Sequence, residues 1–244
     1  MYREQRPPDA FARWIECAWS SETTEEGDAY SVRPDGCIDI VYSPAHGLRI
    51  VGTMTAEQRF HFPAGMQVVG VRFSPGKAGT CLGVAPPELT DESIALEDAW
   101  GARARTLEQR LREAKSPGET VALLLNGIPR PQAQPNSVQR AIEAISAHRG
   151  ACDLDEVASQ AKLSVRQFRR RCLQESGLTP KHLSRILRFR HACELAQRSQ
   201  RRDWPDIAAE AGYFDQAHLI HDFHEFAGAT PVAVFSNTAG APSR

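Results

Sequence analysis

The last third of the chain repeats itself. Ser164, Phe168, Cys172, Gly177, Thr179 and Pro180 return 51 residues later as Asp215, Leu219, Phe223, Gly228, Thr230 and Pro231. Just upstream, Val157-Ala158 returns as Ile207-Ala208 at an offset of 50, so one copy has a one-residue longer turn. Each copy reads as a short helix, a tight turn, a capped second helix and a glycine stop followed by Thr-Pro. Ser and Asp side chains cap helix N-termini, and glycine ends helices without steric cost. Two such units in tandem are what a chain needs to reach two successive major grooves of DNA.

Charge supports the same direction. The net charge is only −1, but residues 162–202 hold 12 Lys and Arg against Glu175 and Glu194, a local +10. Residues 203–230 carry six acids and no Lys or Arg, a local −6. A basic block of that size implies a polyanionic partner, which the overall balance hides. With 244 residues, 41% apolar and 24% charged, the chain has room for two globular domains. No apolar run approaches the ~20 residues that span a bilayer. The first residues show no apolar leader, so a cytoplasmic protein without a membrane partner is expected. The six cysteines, at 17, 37, 81, 152, 172 and 193, are scattered with no Cys-x-x-Cys pair. Reduced, mostly buried thiols are expected, with no metal and no cofactor.

Two regimes of periodicity divide the chain. Trp14–Ser20, Ile38–Ser43, Leu48–Thr53 and Gln67–Phe73 are candidate strands, rich in Val, Ile, Phe and Tyr. Pro34-Asp35-Gly36 is a turn, with Pro presetting φ and Gly accepting a positive one. From Asp91 the period becomes helical, with one helix expected over Leu96–Ala114 and another over Glu119–Asn126. Ile128 to Pro135 is too proline-rich for a helix and reads as a semi-rigid linker. Beyond it, Asn136 or Ser137, Asp153, Ser164, Thr179, Asp203 or Asp206, and Asp215 stand where helix caps belong. The expected fold is α+β in two domains. A β-barrel-like (cupin-like) domain with helices occupies 1–127 and the linker 128–136. An all-α domain at 137–236 holds two helix-turn-helix units joined by a long linker helix.

In a helix-turn-helix the second helix must be apolar on one side and polar or basic on the other. Between Ser164 and Glu175, Phe168 and Cys172 face the core. Arg166, Arg169 and Arg170, with Val165 and Leu173, fall opposite. Arginine suits that place because its fork grips guanine O6 and N7, or a phosphate, with two hydrogen bonds. The helix from Pro180 carries Arg185, Arg188 and Arg190. Its roughly 18 residues span ~27 Å, long enough to hold two recognition helices near the ~34 Å spacing of successive grooves.

These residues resemble the AraC/XylS family of bacterial transcription regulators. The resemblance rests on Ser164-x-Arg166-x-Phe168-x-Arg170, Gly177-Leu-Thr-Pro180, Ile186-Leu-Arg-Phe-Arg-His-Ala192, Ile207-Ala-Ala-Glu-Ala-Gly-Tyr213, Asp215-Gln-Ala-His-Leu219 and Gly228-Ala-Thr-Pro231. It covers roughly 137–235. Arg33-Pro-Asp-Gly-Cys-Ile-Asp-Ile-Val-Tyr42, Gly70-Val-Arg-Phe-Ser-Pro-Gly76 and Leu96-Glu-Asp-Ala-Trp100 look like the small β-rich N-terminal domain of one AraC subgroup.

The resemblance implies double-stranded DNA as partner, with a small-molecule effector, a second copy of the chain and RNA polymerase as further candidates. It implies groove contacts by Arg166, Arg169 and Arg170 in the first unit, and by Gln216, His218 and His221 in the second. Val165 and Gln167, on the same first helix, are further expected DNA-binding residues, and Lys181 and Arg185 stand among the expected phosphate contacts. The second unit departs from the family. His221 replaces a usual arginine, His224-Glu225 replaces Lys and Arg, and Asp222 and Glu225 would repel phosphates. The first unit is therefore expected to supply most of the affinity. A metal on His218, His221 and His224 is disfavoured because i+6 drifts off one helix face.

For the N-terminal domain, a barrel mouth is a candidate effector site, lined by Trp14, Trp19, Arg33, Asp35, Asp39, Tyr42, Arg72 and Phe73. Aromatic residues filling the core and charges pairing on turns are the alternative. A cupin-type metalloenzyme is disfavoured because this half offers only His46 and His61. Two rivals stay open. One makes this half a dimerisation module through the helix around Leu107 and Leu111. The other is a DNA-targeted enzyme or repair protein with a reactive cysteine, for which Cys37 is the candidate. No Gly-x-Ser-x-Gly, phosphate-cradling loop or His-Glu-x-x-His is present, so no enzyme activity is expected.

Overall fold

A computed structural model of the protein describes residues 2–23, 29–130, 134–199 and 201–236. The N-terminal half contains strands β1 (Tyr2–Gln5), β2 (Ile15–Glu22), β3 (Ala29–Val32), β4 (Ile38–Ser43), β5 (Gly47–Val51), β6 (Gln58–His61), β7 (Gln67–Phe73) and β8 (Ser93–Ala95). Its helices are α1 (Ala78–Leu82), α2 (Leu96–Trp100), α3 (Ala102–Arg112) and α4 (Pro117–Gly127). Strands β1-β2-β7-β4-β5-β8, in that spatial order, form one antiparallel sheet, and β3 pairs with β6 in a separate ribbon. The sheet is open, where the sequence suggested a barrel: β1 and β8 end it and do not pair with each other.

Alternation along the strands decides what each face does. On β4, Ile38, Ile40 and Tyr42 point into the core beneath α3 and α4, while Asp39, Val41 and Ser43 point to the opposite face. On β5, Leu48 and Ile50 go inward; Gly47, Arg49 and Val51 go the other way. The expected helix over Leu96–Ala114 is split at Gly101, whose φ of 56° breaks the helical path between α2 and α3. Leu107 and Leu111 are buried in the domain core against α4, so the dimer seam expected from them is already filled by the chain itself.

The C-terminal half is helical: α5 (Ser137–Ala147), α6 (Leu154–Gln160), α7 (Val165–Ser176), α8 (Pro180–Arg198), α9 (Trp204–Glu210), α10 (Gln216–Ala227) and α11 (Pro231–Ser236). Asn136, Asp153, Ser164, Thr179, Asp203 and Asp215 each cap a helix by accepting a backbone N–H. Gly177 and Gly228 end α7 and α10 with φ of 77° and 66°. Phe168, Cys172, Leu183, Phe189, Leu219 and Phe223 share one core cluster, so α8 is packed against both units at once.

The close approach of α5 to α8 depends on Gly150. Its φ is 78°, and a Cβ there would lie 2.0 Å from the Ser184 carbonyl oxygen. Gly150→Ala is expected to cost about 2–3 kcal/mol, combining left-handed backbone strain with overpacking, as read from a denaturant midpoint.

The two halves are packed together. Thr53 Oγ1 donates to the Ser176 carbonyl at 3.2 Å, Thr90 Oγ1 to that of Gly177 at 3.1 Å, and Glu57 N–H to that of Phe226 at 2.8 Å. Ion pairs Glu16–Arg190 and Lys77–Glu143 cross the same boundary. The β-domain thereby grips the C-terminal ends of α7 and α10 and leaves their N-terminal ends exposed.

Candidate nucleic-acid interface

The first recognition helix, α7, is held at its start by a reciprocal cap. Ser164 Oγ accepts from Gln167 N–H at 3.3 Å, and Gln167 Oε1 accepts from Ser164 N–H at 3.0 Å. Gln167 thus has its amide oxygen engaged in the cap and only its NH2 left to donate outward. Phe168 and Cys172 are buried, and Arg166, Arg169 and Arg170 are exposed on the other side at i, i+3 and i+4. Among the described residues none pairs with these three arginines. Their cluster of unneutralised charge carries the repulsion that a phosphate backbone would relieve. Lys181 is exposed on the first turn of α8.

The second recognition helix, α10, is built differently. Asp215 accepts from His218 N–H at 2.7 Å, Gln216 and His221 are exposed, and the His218 ring stands edge-on to Tyr213 at 5.2 Å. Asp222 is fully buried; its Oδ1 accepts from Arg185 Nε at 3.1 Å and Nη2 at 2.6 Å. Glu225 takes the other edge of the same guanidinium, with Arg185 Nη1 at 3.0 Å, and that bond holds its carboxyl below the usual range. Arg185 therefore braces α10 to α8, where the sequence suggested a phosphate contact. The acids expected to repel DNA are turned inward or neutralised. Donor atoms of His221, Asp222 and Glu225 lie within 4.8 Å of one another, but Arg185 already supplies the positive charge there.

Two more arginines of the long helix are committed similarly. Arg188 lies over the Tyr213 ring at 5.4 Å, and Arg190 pairs with Glu16 and Glu194. Two histidines on α8 add a pH dependence. Burial, then the Arg185 charge, lowers the pKa of His182, and burial, then Arg149, lowers that of His191. A lowered folded-state pKa means the unfolded chain takes up protons first. Stability is then complete above the ordinary histidine pKa of 6.5 and is lost as pH falls below it through the lowered folded-state values. In the other half, burial raises the pKa of Asp39 to about 6, so its protonation opposes the histidine effect within the same pH range. Between pH 7.5 and pH 5.5, about one pH unit to either side of the ordinary histidine value, His182→Phe is expected to lose less stability than the native chain, as read from denaturant midpoints.

On the β-domain, the sheet face opposite the core and the β3–β6 ribbon enclose a cavity of about 260 Å3. Trp19, Arg33, Asp35, Asp39 and Arg72 line it, as the sequence suggested. Trp14 and Tyr42 do not; both join the core cluster, Tyr42 because it alternates with Val41 and Ser43 on β4. Phe73 is likewise fully buried in the core. The floor is an ion-pair network: Arg72 meets Asp39 Oδ1 at 3.1 Å and Asp35 at 3.0 Å, and Trp19 Nε1 donates to Asp39 at 2.9 Å. Val41 of β4, Val68 of β7, and Phe60 and Phe62 at the ribbon make the walls apolar, a contribution that sequence reading missed. Cys37 lies at this floor, bonded to Glu16 and to the Asp35 carbonyl. Burial, then Asp35 and Glu16, pushes its thiol well above the ordinary range, the reverse of what a nucleophile requires.

Arg33 connects cavity and helices. It lines the cavity, bonds Glu57 at 3.3 Å and lies over the Phe235 ring of α11 at 5.6 Å.

Residues 157–237 match the model of a helix-turn-helix domain family, and residues 3–95 match a domain of unknown function, DUF6597. No curated protein sequence matches the chain. Among solved structures, ToxT from Vibrio cholerae O395 is 11% identical, with a TM-score of 0.45 over 92% of this chain and 97% of that one. Unsaturated fatty acid bound wild-type ToxT from Vibrio cholerae strain SCE256 is 12% identical, with a TM-score of 0.41 over 92% of each chain. Among the described residues, no helix is long and apolar enough to cross a membrane.

Proposed function

We propose, since this chain belongs to the AraC type of helix-turn-helix proteins, that it is a transcriptional regulator whose two recognition helices read one asymmetric DNA site. The observation that carries this reading is the exposed cluster of Arg166, Arg169 and Arg170 on a capped helix whose opposite face is core. Phosphate contacts by these residues and Lys181 supply affinity, and base edges met at the N-terminal ends of α7 and α10 supply sequence preference. Because Arg185 is committed within the domain, the second unit contributes through Gln216, His218 and His221 and adds less charge.

The cavity in the β-domain is the effector site in this reading. It pairs apolar walls with a few fixed polar groups, as small-molecule sites do. Arg33, shared between cavity and α11, gives an occupant a physical route to the second unit. Work in the cytoplasm, self-association and contact with RNA polymerase complete the proposal.

The test is fluorescence anisotropy of the full-length chain on duplexes selected from a random pool and on unselected ones, across salt. The full chain is required because the domain interface buries parts of both halves. Steep salt dependence with a large preference for selected DNA supports the regulator reading. Equal binding to both pools removes sequence reading, and no binding overturns the whole. A metabolite that raises the melting temperature and shifts DNA affinity in the same titration identifies the effector; Arg33→Met should uncouple the two.

A further inference from the structure

The two units differ by one residue, and the structure shows which one. In the first turn Leu163 N–H donates to the Ala158 carbonyl at 3.0 Å; in the second, Tyr213 N–H donates to that of Ala208 at 2.9 Å. These pairs match at an offset of 50 residues. The caps that follow, Ser164 and Asp215, match at 51. Tyr213 therefore takes the place of Leu163, packing against the core, and Phe214 is the residue without a counterpart.

Among the described residues, Phe214 joins neither the core cluster nor any ring contact. It is 94% exposed, the most exposed of the large apolar side chains described. A phenyl ring in water is unfavourable, and the chain places this one directly before the cap of α10. In a helix-turn-helix that end of the second helix meets the base edges. The apolar feature a base pair shows in the major groove is the C5 methyl of thymine.

We infer that Phe214 reads a thymine methyl in the part of the site contacted by the second unit. This rests on the DNA-binding reading above and deepens it. It gives α10, poor in free cations, a means of sequence selection that costs no charge. The contact is apolar, so it changes preference between bases without changing salt dependence.

The experiment takes the tightest duplex selected by the full-length chain and replaces each dT in turn by deoxyuridine, which removes one methyl and nothing else. One position is expected to weaken binding about fourfold, the worth of one buried methyl. Phe214→Ala should lose a similar factor on the parent duplex and become indifferent to deoxyuridine at that position. Replacing a cytosine there by 5-methylcytosine should recover part of the loss for the native chain alone. Val165→Ala, on the first turn of α7, should leave that position's sensitivity intact. Circular dichroism melting confirms that Phe214→Ala folds, as its exposure dictates.

Sequence-selective binding that no deoxyuridine weakens would overturn the assignment while leaving the regulator reading standing. So would a Phe214→Ala variant that keeps the methyl sensitivity. A variant that instead changes only the oligomeric state, or only the affinity for another protein, would make Phe214 a protein-docking residue. Absence of any sequence preference would overturn both readings.

Discussion

Arg185→Ala is expected to destabilise the C-terminal half by about 3–5 kcal/mol, the usual cost of stripping one partner from a buried ion pair. Asp222 has no exposure to water and depends on the Arg185 guanidinium for its compensation. Glu225 loses its partner as well, and the Phe226 ring loses the cation lying 5.1 Å above it. Denaturant unfolding of the full chain reads the loss. Adding Asp222→Asn to the alanine variant should recover much of it, because the uncompensated charge is then gone. A loss below 1 kcal/mol, or no recovery in the double variant, would show that Arg185 is not the brace of α10. Since α10 is the helix released, the alanine variant should also lose sequence preference at the second half of the site before it loses affinity for random DNA.

The second large effect is on binding. Arg169→Ala with Arg170→Ala is expected to cost about 2–6 kcal/mol, or roughly one and a half to four decades in affinity. Both side chains are exposed on the face of α7 away from Phe168 and Cys172, so their removal leaves the core intact and the melting temperature near that of the native chain. Comparing selected with random duplexes separates the roles. If an arginine grips phosphate, its removal weakens binding to both pools equally and lowers the salt slope by about one per residue. If it reads a base edge, its removal weakens binding to the selected pool alone. Unchanged affinity on both would remove α7 from the groove.

Much of the C-terminal half was legible because its signals are local. Caps such as Ser164 and Thr179, stops such as Gly177 and Gly228, and the spacing of Phe168 and Cys172 act within a few residues, and each appears in the structure where its type implies. Strands β4 and β7 were legible to the residue, since bounded runs of β-branched residues leave little choice. The short strands β1, β3, β6 and β8 were not. Each has four residues or fewer and exists through its partner, which sequence periodicity does not show. The break at Gly101 was missed because the helical pattern continues across it.

The candidate site divides in the same way. Type and spacing alone marked Arg166, Arg169 and Arg170 as a basic face and Trp19, Arg33, Asp35, Asp39 and Arg72 as possible members of one site. The sequence by itself determined that two capped helical units stand in tandem, that one is strongly basic, and which residue types face out from each. Only the tertiary structure decided which charges are available. Arg185, Arg188 and Arg190 look alike in the chain, yet each is committed to a partner that arrives from 37, 24 or 174 residues away. Charge is a property of the residue; whether it is free to meet a phosphate depends on what folding brings within hydrogen-bonding distance.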